Sequence, residues 1–416
     1  MVRDIDLDFV RAQFPAFAEP SLARLAFFEN AGGSYACRPV IERLNEYYRR
    51  LKVQPYYAYP ASLEAGEWMD AARSRLAEFL NVTAEEVHFG PSTSQNTYVL
   101  AQAFRKLLQP GDEIIVTNQD HEANGGVWRR LAAEGVAVKE WRVDRESGRL
   151  DPGDLDALLN ERTRLLAFSH CSNVVAHINP VAQVARKARA AGAVTVVDGV
   201  SYAPHGLPDV DALGADAYLF SLYKTFGPHQ GLMVVRKLLL EALGNEGHYF
   251  NGAATHKRLV PAGPDHAQVA AARGVAEYFD SLDAHHRASA PAAGRPERVR
   301  RLLRGAELPL LARLLEYLAA HGGVRLLGPA EAEERAATVA FVPLRRAPSD
   351  LVPLLAARGI MAGAGHFYAV RLLEAMGVDP DRGALRLSFV HYTSPDDVDR
   401  AIEALDALLR PLASRA

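Results

Sequence analysis

Residues 194–228 read VTVVDGVSYAPHGLPDVDALGADAYLFSLYKTFGP, and this stretch decides the fold class. Val194–Val197 is a short run rich in β-branched residues that ends on Asp198 and Gly199. Ala217–Ser221 is a second apolar run, closed by Lys224 and the turn-forming pair Gly227-Pro228. Working outward, similar runs occur at Val87–Phe89, Glu113–Thr117, Val136–Val143, Leu165–Ser169 and Leu232–Val235. Longer amphipathic stretches such as Gln95–Leu107 and Val181–Ala191 separate them, the second opened by Asn179-Pro180 and closed by Gly192. This alternation predicts an α/β fold whose mainly parallel sheet has seven strands, with helices on both faces. In such sheets ligands bind beyond the carboxyl ends of the strands, where several polar residues of this chain fall.

A chain of 416 residues exceeds the roughly 250–300 residues at which one core stops growing, so a large domain and a smaller one are expected. Residues 21–265 are assigned to the large domain and 266–416 to a smaller C-terminal α/β domain, on which residues 1–20 are expected to pack. Within the smaller domain, helices alternate with the strand candidates Thr338–Val342 and Leu385–Phe389, and residues 284–296, with two prolines and many small residues, predict an exposed loop.

Forty-seven basic residues against 50 acidic ones, with no long basic run, point away from nucleic acid and anionic membranes and toward a small-molecule partner. The two cysteines, Cys37 and Cys171, form no C-x-x-C pair, so neither a metal site nor a disulfide framework is expected, and packing is the favoured role of both. Asp4, Asp6 and Asp8 stand where a signal peptide would need a basic start and an apolar run, and no stretch reaches the roughly 20 apolar residues of a membrane span. A cytoplasmic location is expected.

Four features fall at strand ends. Lys224 follows the strand at 217–221, a position open to an ordinary surface lysine. Asp198 ends an apolar strand, where a desolvated carboxylate needs a cationic partner; alone, it also suits a turn before Gly199. Ser92, Thr93 and Ser94 join a strand to a helix, whose N-terminus is a ready anion site, although Ser92 or Ser94 equally fits a simple N-cap. His121, in Asp120-His121-Glu122-Ala123-Asn124, could lie flat against a ring and relay protons, or be a solvated loop histidine. Taken together, a lysine, an acid, a flat group and phosphate donors are what pyridoxal 5′-phosphate (PLP) requires, with the cofactor carried as an imine on Lys224.

These residues resemble the cysteine desulfurase branch of the class V, fold type I PLP enzymes across nearly the whole chain. Glu29-Asn30-Ala31 looks like the family's opening acidic-Asn-Ala motif. Asp120–Asn124 resembles its E-H-x-A-N motif, and Ser172-Asn173-Val174 matches its S-N-V segment. Val197-Asp198-Gly199 and Ser221-Leu222-Tyr223-Lys224 correspond to V-D-G and S-x-H-K, and Arg386-Leu387-Ser388 to R-x-S. The resemblance implies that Asn173, Ser201, Ser221 and Tyr223 join the cofactor site. It implies that Asn30, Ala31, Asn173 and Arg386 meet the substrate, Arg386 holding its carboxylate as a planar fork. It further implies a homodimer with interfacial active sites, where Gly263-Pro264 approaches the partner's phosphate.

The chain departs from the family in three places. Tyr368, in Gly363-Ala364-Gly365-His366-Phe367-Tyr368-Ala369, stands where desulfurases carry the nucleophilic cysteine, and a phenol cannot form a persulfide. Tyr223 replaces the histidine of the lysine motif, and Ser201 replaces the Gln that reaches the ring's phenolic oxygen. The expected activity is therefore a carbon–sulfur or β-lyase acting at the α-carbon of an amino acid. Lys224, His121, Asp198, Tyr368 and His366 are its catalytic candidates. Transamination and epimerisation share the α-proton step, and a PLP-binding scaffold without chemistry is the contrasting class.

Overall fold

The computed structural model describes residues 5–287 and 291–410. Its strands are β1 (Ala26–Phe27), β2 (Val87–Gly90), β3 (Glu113–Thr117), β4 (Ala137–Trp141), β5 (Thr163–Ser169), β6 (Val194–Asp198) and β7 (Ala217–Ser221). They continue with β8 (Gly231–Val235), β9 (Val324–Leu327), β10 (Thr338–Pro343), β11 (Ile360–Met361), β12 (Gly363–Gly365) and β13 (Ala384–Ser388). Strands β2 to β8 form one seven-stranded sheet in the order β2-β8-β7-β6-β5-β3-β4. Every strand expected for it is present, and all neighbours are parallel except β8, which runs antiparallel to both β7 and β2.

The apolar runs are strands because both faces are covered. Every residue of β3, β7 and β8 is buried. Removing each Val, Leu, Ile or Phe from water stabilises the sheet by about 1.5–3 kcal/mol. Helices close the parallel crossovers, among them Glu122–Arg129 and Val181–Ala190, the latter packed on β6. All the parallel strands therefore end at one edge, and the reversal of β8 brings its first residue, Gly231, to that same edge beside Gly90 and Ser221.

A second sheet, β12-β13-β10-β9, is antiparallel throughout, and β1 pairs with β11. A separate apolar core under it combines Ala26 and Phe28 with Leu311, Leu314, Phe341, Leu387 and Leu405. Residues near the N-terminus thus pack with the C-terminal part of the chain. Conversely, the helices His266–Ala271 and Arg273–His286 pack on the helices Arg38–Arg50 and Pro60–Leu80 beside the large sheet. A Cβ at Gly274 would stand 2.4 Å from the Val40 amide nitrogen, so this contact needs glycine.

The initial segment touches both parts. The Asp6 amide donates to His286 Nε2 at 2.8 Å and Arg11 pairs with Asp397. The Phe14 ring meets those of Phe226, Tyr278 and Tyr392 edge-on at 4.9–5.6 Å. The loop expected over 284–296 is shorter at its start: Ala284–His286 is still helical, because His286 is buried and receives the Asp6 amide. Arg287 and residues 291–294 are exposed, and residues 288–290 lie outside the described ones. Among the described residues no helix is long and apolar enough to cross a membrane, and no cluster of three metal-ligating side chains occurs.

Candidate active site

The carboxyl edge of the large sheet gathers a cavity lined by Ser92, Thr93, Ser94, His121, Asn173, Asp198, Ser201, Ser221, Tyr223 and Lys224, together with Ala123, Ser169, Cys171 and Val200. Strand ends supply most of them: Ser92 follows β2, His121 follows β3, Ser169 closes β5, Asp198 closes β6 and Ser221 closes β7.

One end of the cavity is built for an anion. Ser92 caps the 13-residue helix Thr93–Arg105, its hydroxyl accepting from the Gln95 amide at 3.2 Å. The first amides of that helix lie at the cavity wall with the positive end of its dipole. The Thr93 and Ser221 hydroxyls meet at 2.7 Å. A Cβ on Gly231 would sit 2.5 Å from the Thr93 nitrogen and 2.4 Å from the Ser92 carbonyl carbon, so a bare backbone at the start of β8 is what admits this turn. Tyr223 stacks on His229 with ring centroids 4.3 Å apart.

Opposite lies the acid. Asp198 is buried, and its Oδ1 receives the Val200 amide at 2.9 Å. Burial pushes its carboxyl up, opposed by that amide and by Lys224. Gly199 is dictated by Tyr218, whose ring would lie 2.1 Å from a Cβ there; the Tyr218 hydroxyl bonds His170 Nδ1 at 2.9 Å, and His170 stacks on Tyr202 at 3.7 Å. Asp120, quoted in a motif but given no role from sequence, is buried beside Asp198; burial first and then the Asp198 charge push it up to about 7.

Lys224 ends a single 3-10 turn after β7. Burial and, after it, the Arg386 charge bring its amine down to about 8. His121 begins the helix Glu122–Arg129, and the Ala123 amide donates to its Nδ1 at 3.1 Å, which leaves the ring proton on Nε2. Burial, with Lys224 and Arg386 nearby, lowers its pKa to about 4, so the imidazole is neutral at pH 7.

A second group of side chains adjoins the cavity. Arg386, on β13, is buried, donates from Nη1 to the Asn173 carbonyl at 3.2 Å and forms an ion pair with Glu29. The Phe367 ring lies 4.0 Å from its guanidinium carbon, and Asn173 Nδ2 donates to the Phe367 carbonyl at 2.8 Å. Phe367 and Tyr368 both have left-handed backbones, with φ 49° and 58°. The Glu122 amide holds the Tyr368 carbonyl at 2.7 Å, and the Tyr368 ring, 66% exposed, tilts over His121 at 5.1 Å. Glu29 and Phe367 were missed as partners of Arg386; a charge pair 357 residues apart leaves no local signal.

Three candidates stand away from the cavity wall. His366 is exposed, and its Nδ1 accepts the Tyr368 amide at 3.0 Å. Asn30 does not turn its side chain to the cavity: Nδ2 donates to the Ser388 carbonyl at 3.2 Å, and Oδ1 accepts from the Tyr392 hydroxyl. The Ala31 amide is taken by the Ser388 hydroxyl at 2.8 Å. The physical reason is that β1 continues as a bridge from Glu29 to Ser388, which spends these groups on joining the chain's two ends.

Both cysteines are buried thiols. Cys171 donates to the Ala176 carbonyl at 3.2 Å and Cys37 to that of Gly274 at 3.5 Å. Burial pushes each up to about 12, so neither carries a thiolate near neutrality. A thiol-reactive chromogenic disulfide is expected to modify neither in the native protein and both after unfolding; rapid native labelling of Cys171 would show the opposite.

The cavity suits PLP in each of its parts: a glycine-backed anion cradle, a buried carboxylate, a neutral imidazole and an amine of lowered pKa. The sequence matches the family model described as Aminotransferase class-V over residues 26–289 and 303–401. It is similar to the "Aminotransferase-like protein FGM3" of Gibberella zeae, at 34% identity over 97% of this chain and 98% of that one. It is also similar to a probable cysteine desulfurase of Pseudomonas aeruginosa, at 33% identity over 97% and 98% of the two chains. The crystal structure of the cysteine desulfurase CsdA of Escherichia coli superposes with a TM-score of 0.82 at 27% identity, over 98% of this chain and all of that one. The chain therefore belongs to the class V aminotransferase family, in its cysteine desulfurase-like part, and is a PLP-dependent enzyme.

Proposed function

We propose that the enzyme eliminates a β-substituent from an amino acid, as a carbon–sulfur or β-lyase, rather than passing sulfur through a persulfide. The observation that carries this reading is the loop at Phe367-Tyr368: a phenol stands beside His121 where a thiol would be needed, and both cysteines of the chain are buried with raised pKa.

In this reading, the amides at the start of the helix Thr93–Arg105, with Ser92, Thr93, Ser94, Ser221 and Tyr223, would hold the cofactor's phosphate. Asp198 would keep its ring nitrogen protonated, and His121 and Ser201 would complete its contacts in the cavity. The bound cofactor supplies an electron sink for the pair left at the substrate's α-carbon. Lys224 Nζ takes the α-proton; with a pKa of about 8 it is neutral in roughly a tenth of molecules at pH 7, about two orders of magnitude more than an ordinary lysine, and is a competent base. Arg386 and the Asn173 side chain hold the substrate carboxylate, and the α-carbon is thereby turned toward Lys224. The leaving group collects its proton from the Tyr368 hydroxyl or from His121 Nε2–H. His366, turned to solvent, acts through its grip on the Tyr368 amide.

The test is product analysis on a panel of β-substituted amino acids. Release of a thiol together with pyruvate and ammonia is expected, and a panel yielding none of these overturns the reading. The aminotransferase-like relative favours transamination as a second reading, which would appear as keto acid formed in equal amount with the pyridoxamine form. Loss of α-carbon chirality without either product would mark epimerisation. We also propose that two copies associate, which is supported by the exposed aromatics Tyr57 and Tyr59, stacked on each other, and Tyr249 and Phe250.

A further inference from the structure

The carboxylate that holds Arg386 belongs to the protein itself. Glu29 Oε1 is paired with Arg386 Nη2, while Glu29 Oε2, Arg386 Nε and Asn173 Oδ1 are all buried without a hydrogen-bond partner. The acid sits in a slot made by glycines: a Cβ on Gly32 would stand 2.9 Å from Oε1, and one on Gly363 would stand 2.3 Å from Oε2. Three elements therefore converge on the placement of this one acid: the turn after β1, the start of β12 and the arginine of β13. Lys224 feels both charges, that of Arg386 lowering and that of Glu29 raising its amine.

We propose that Glu29 is a specificity-determining residue, which neutralises one arm of Arg386 so that the site accepts amino acids with uncharged side chains and rejects those carrying a second acidic group. This rests on the reading of Arg386 as the anchor of the substrate carboxylate. A single substrate carboxylate is left with the guanidinium protons that neither Glu29 nor the Asn173 carbonyl takes, together with the second proton of Asn173 Nδ2. A second carboxylate, or a sulfinate at the β-position, enters a pocket in which the charge of Arg386 is already balanced by Glu29, and so finds no free cation to pair with. An anion left without a cation in a desolvated site binds weakly, whereas an uncharged side chain of the same shape incurs no such cost. The β-substituent this site favours is accordingly an uncharged thiol or thioether, released as a thiol, rather than an acid.

The experiment titrates the holoenzyme with isosteric pairs, asparagine against aspartate and glutamine against glutamate, reading binding by calorimetry and by the cofactor's absorbance. In the wild type the amide of each pair should bind roughly tenfold tighter or more. Glu29→Gln keeps an oxygen that can accept from Arg386 and removes the charge, so it should erase most of that ratio by strengthening the acidic ligands. A wild type that binds both members equally, or a Glu29→Gln protein with an unchanged ratio, overturns the proposal. If Glu29 only positioned Arg386, Glu29→Gln would shift both members of a pair alike and leave the ratio intact. Arg386→Gln separates the two readings. Loss of binding for every amino acid keeps the anchor assignment whatever Glu29 does, and undiminished binding overturns the anchor and this proposal together.

Discussion

Lys224→Ala is expected to abolish the visible absorbance band of the covalently held cofactor and to lower turnover by at least ~10²–10⁴-fold, the range of a positioned acid–base group. The lysine has no equivalent in the cavity. Among the residues lining it, His121 is a neutral imidazole, held below the range in which it would take a proton near pH 7. The same residue sets a pH dependence. Burial and Arg386 bring the amine down to about 8, so below that pH its neutral fraction falls tenfold per unit, and above it the fraction levels off. Covalent capture of added PLP by the apoprotein should therefore accelerate with rising pH and flatten beyond 8. Stopped-flow absorbance measures this directly, and a band that survives in Lys224→Ala would show that another group carries the cofactor.

Asp198→Asn has the second-largest expected effect. Asparagine matches the shape and can still accept the Val200 amide, but it brings no negative charge to hold a ring nitrogen protonated. A loss on the order of 10²–10³ in kcat is expected, comparable with removing one preorganised electrostatic contact. Cofactor retention should be affected far less, because the phosphate cradle around Ser92 and Gly231 is independent of Asp198. Equilibrium dialysis of PLP beside steady-state rates separates the two quantities. The neighbouring Asp120 offers a further signature: with the Asp198 charge gone, its pKa should fall from about 7, since that charge helps to raise it. Unchanged turnover in Asp198→Asn would remove Asp198 from the chemistry.

Much of the large sheet was legible in the sequence because its strands are buried on both faces and therefore read as short apolar runs. Val194–Asp198 and Ala217–Ser221 match the structure residue for residue, and the functional candidates follow them at the strand ends. Strand direction was not legible. The run at β8 looks like its parallel neighbours, and only tertiary pairing shows that it is reversed. The two-residue strands β1 and β11 carry no periodicity to detect, so the excursion of Ala26 and Phe28 into the second core was not foreseen. Within the site, the motif residues His121, Asn173, Asp198, Ser221, Tyr223 and Lys224 line the cavity, while the partner of Arg386 did not show itself. Motif reading also put Asn30 at the substrate, where packing needs claimed its side chain for Ser388 and Tyr392.

The loop carrying Phe367 and Tyr368 bears on where the product goes. Two successive non-glycine residues in the left-handed region cost on the order of 1–3 kcal/mol each, and they persist because Asn173, Glu122 and His366 each hold the backbone there. A segment braced by its own His366 and tied to the body of the protein by Asn173 and Glu122 is a fixed wall, whereas a carrier arm has to swing outward to hand its cargo to another protein. If the elimination proposed above is the reaction, no acceptor protein is required: the product leaves as a free small molecule past the exposed ring of Tyr368.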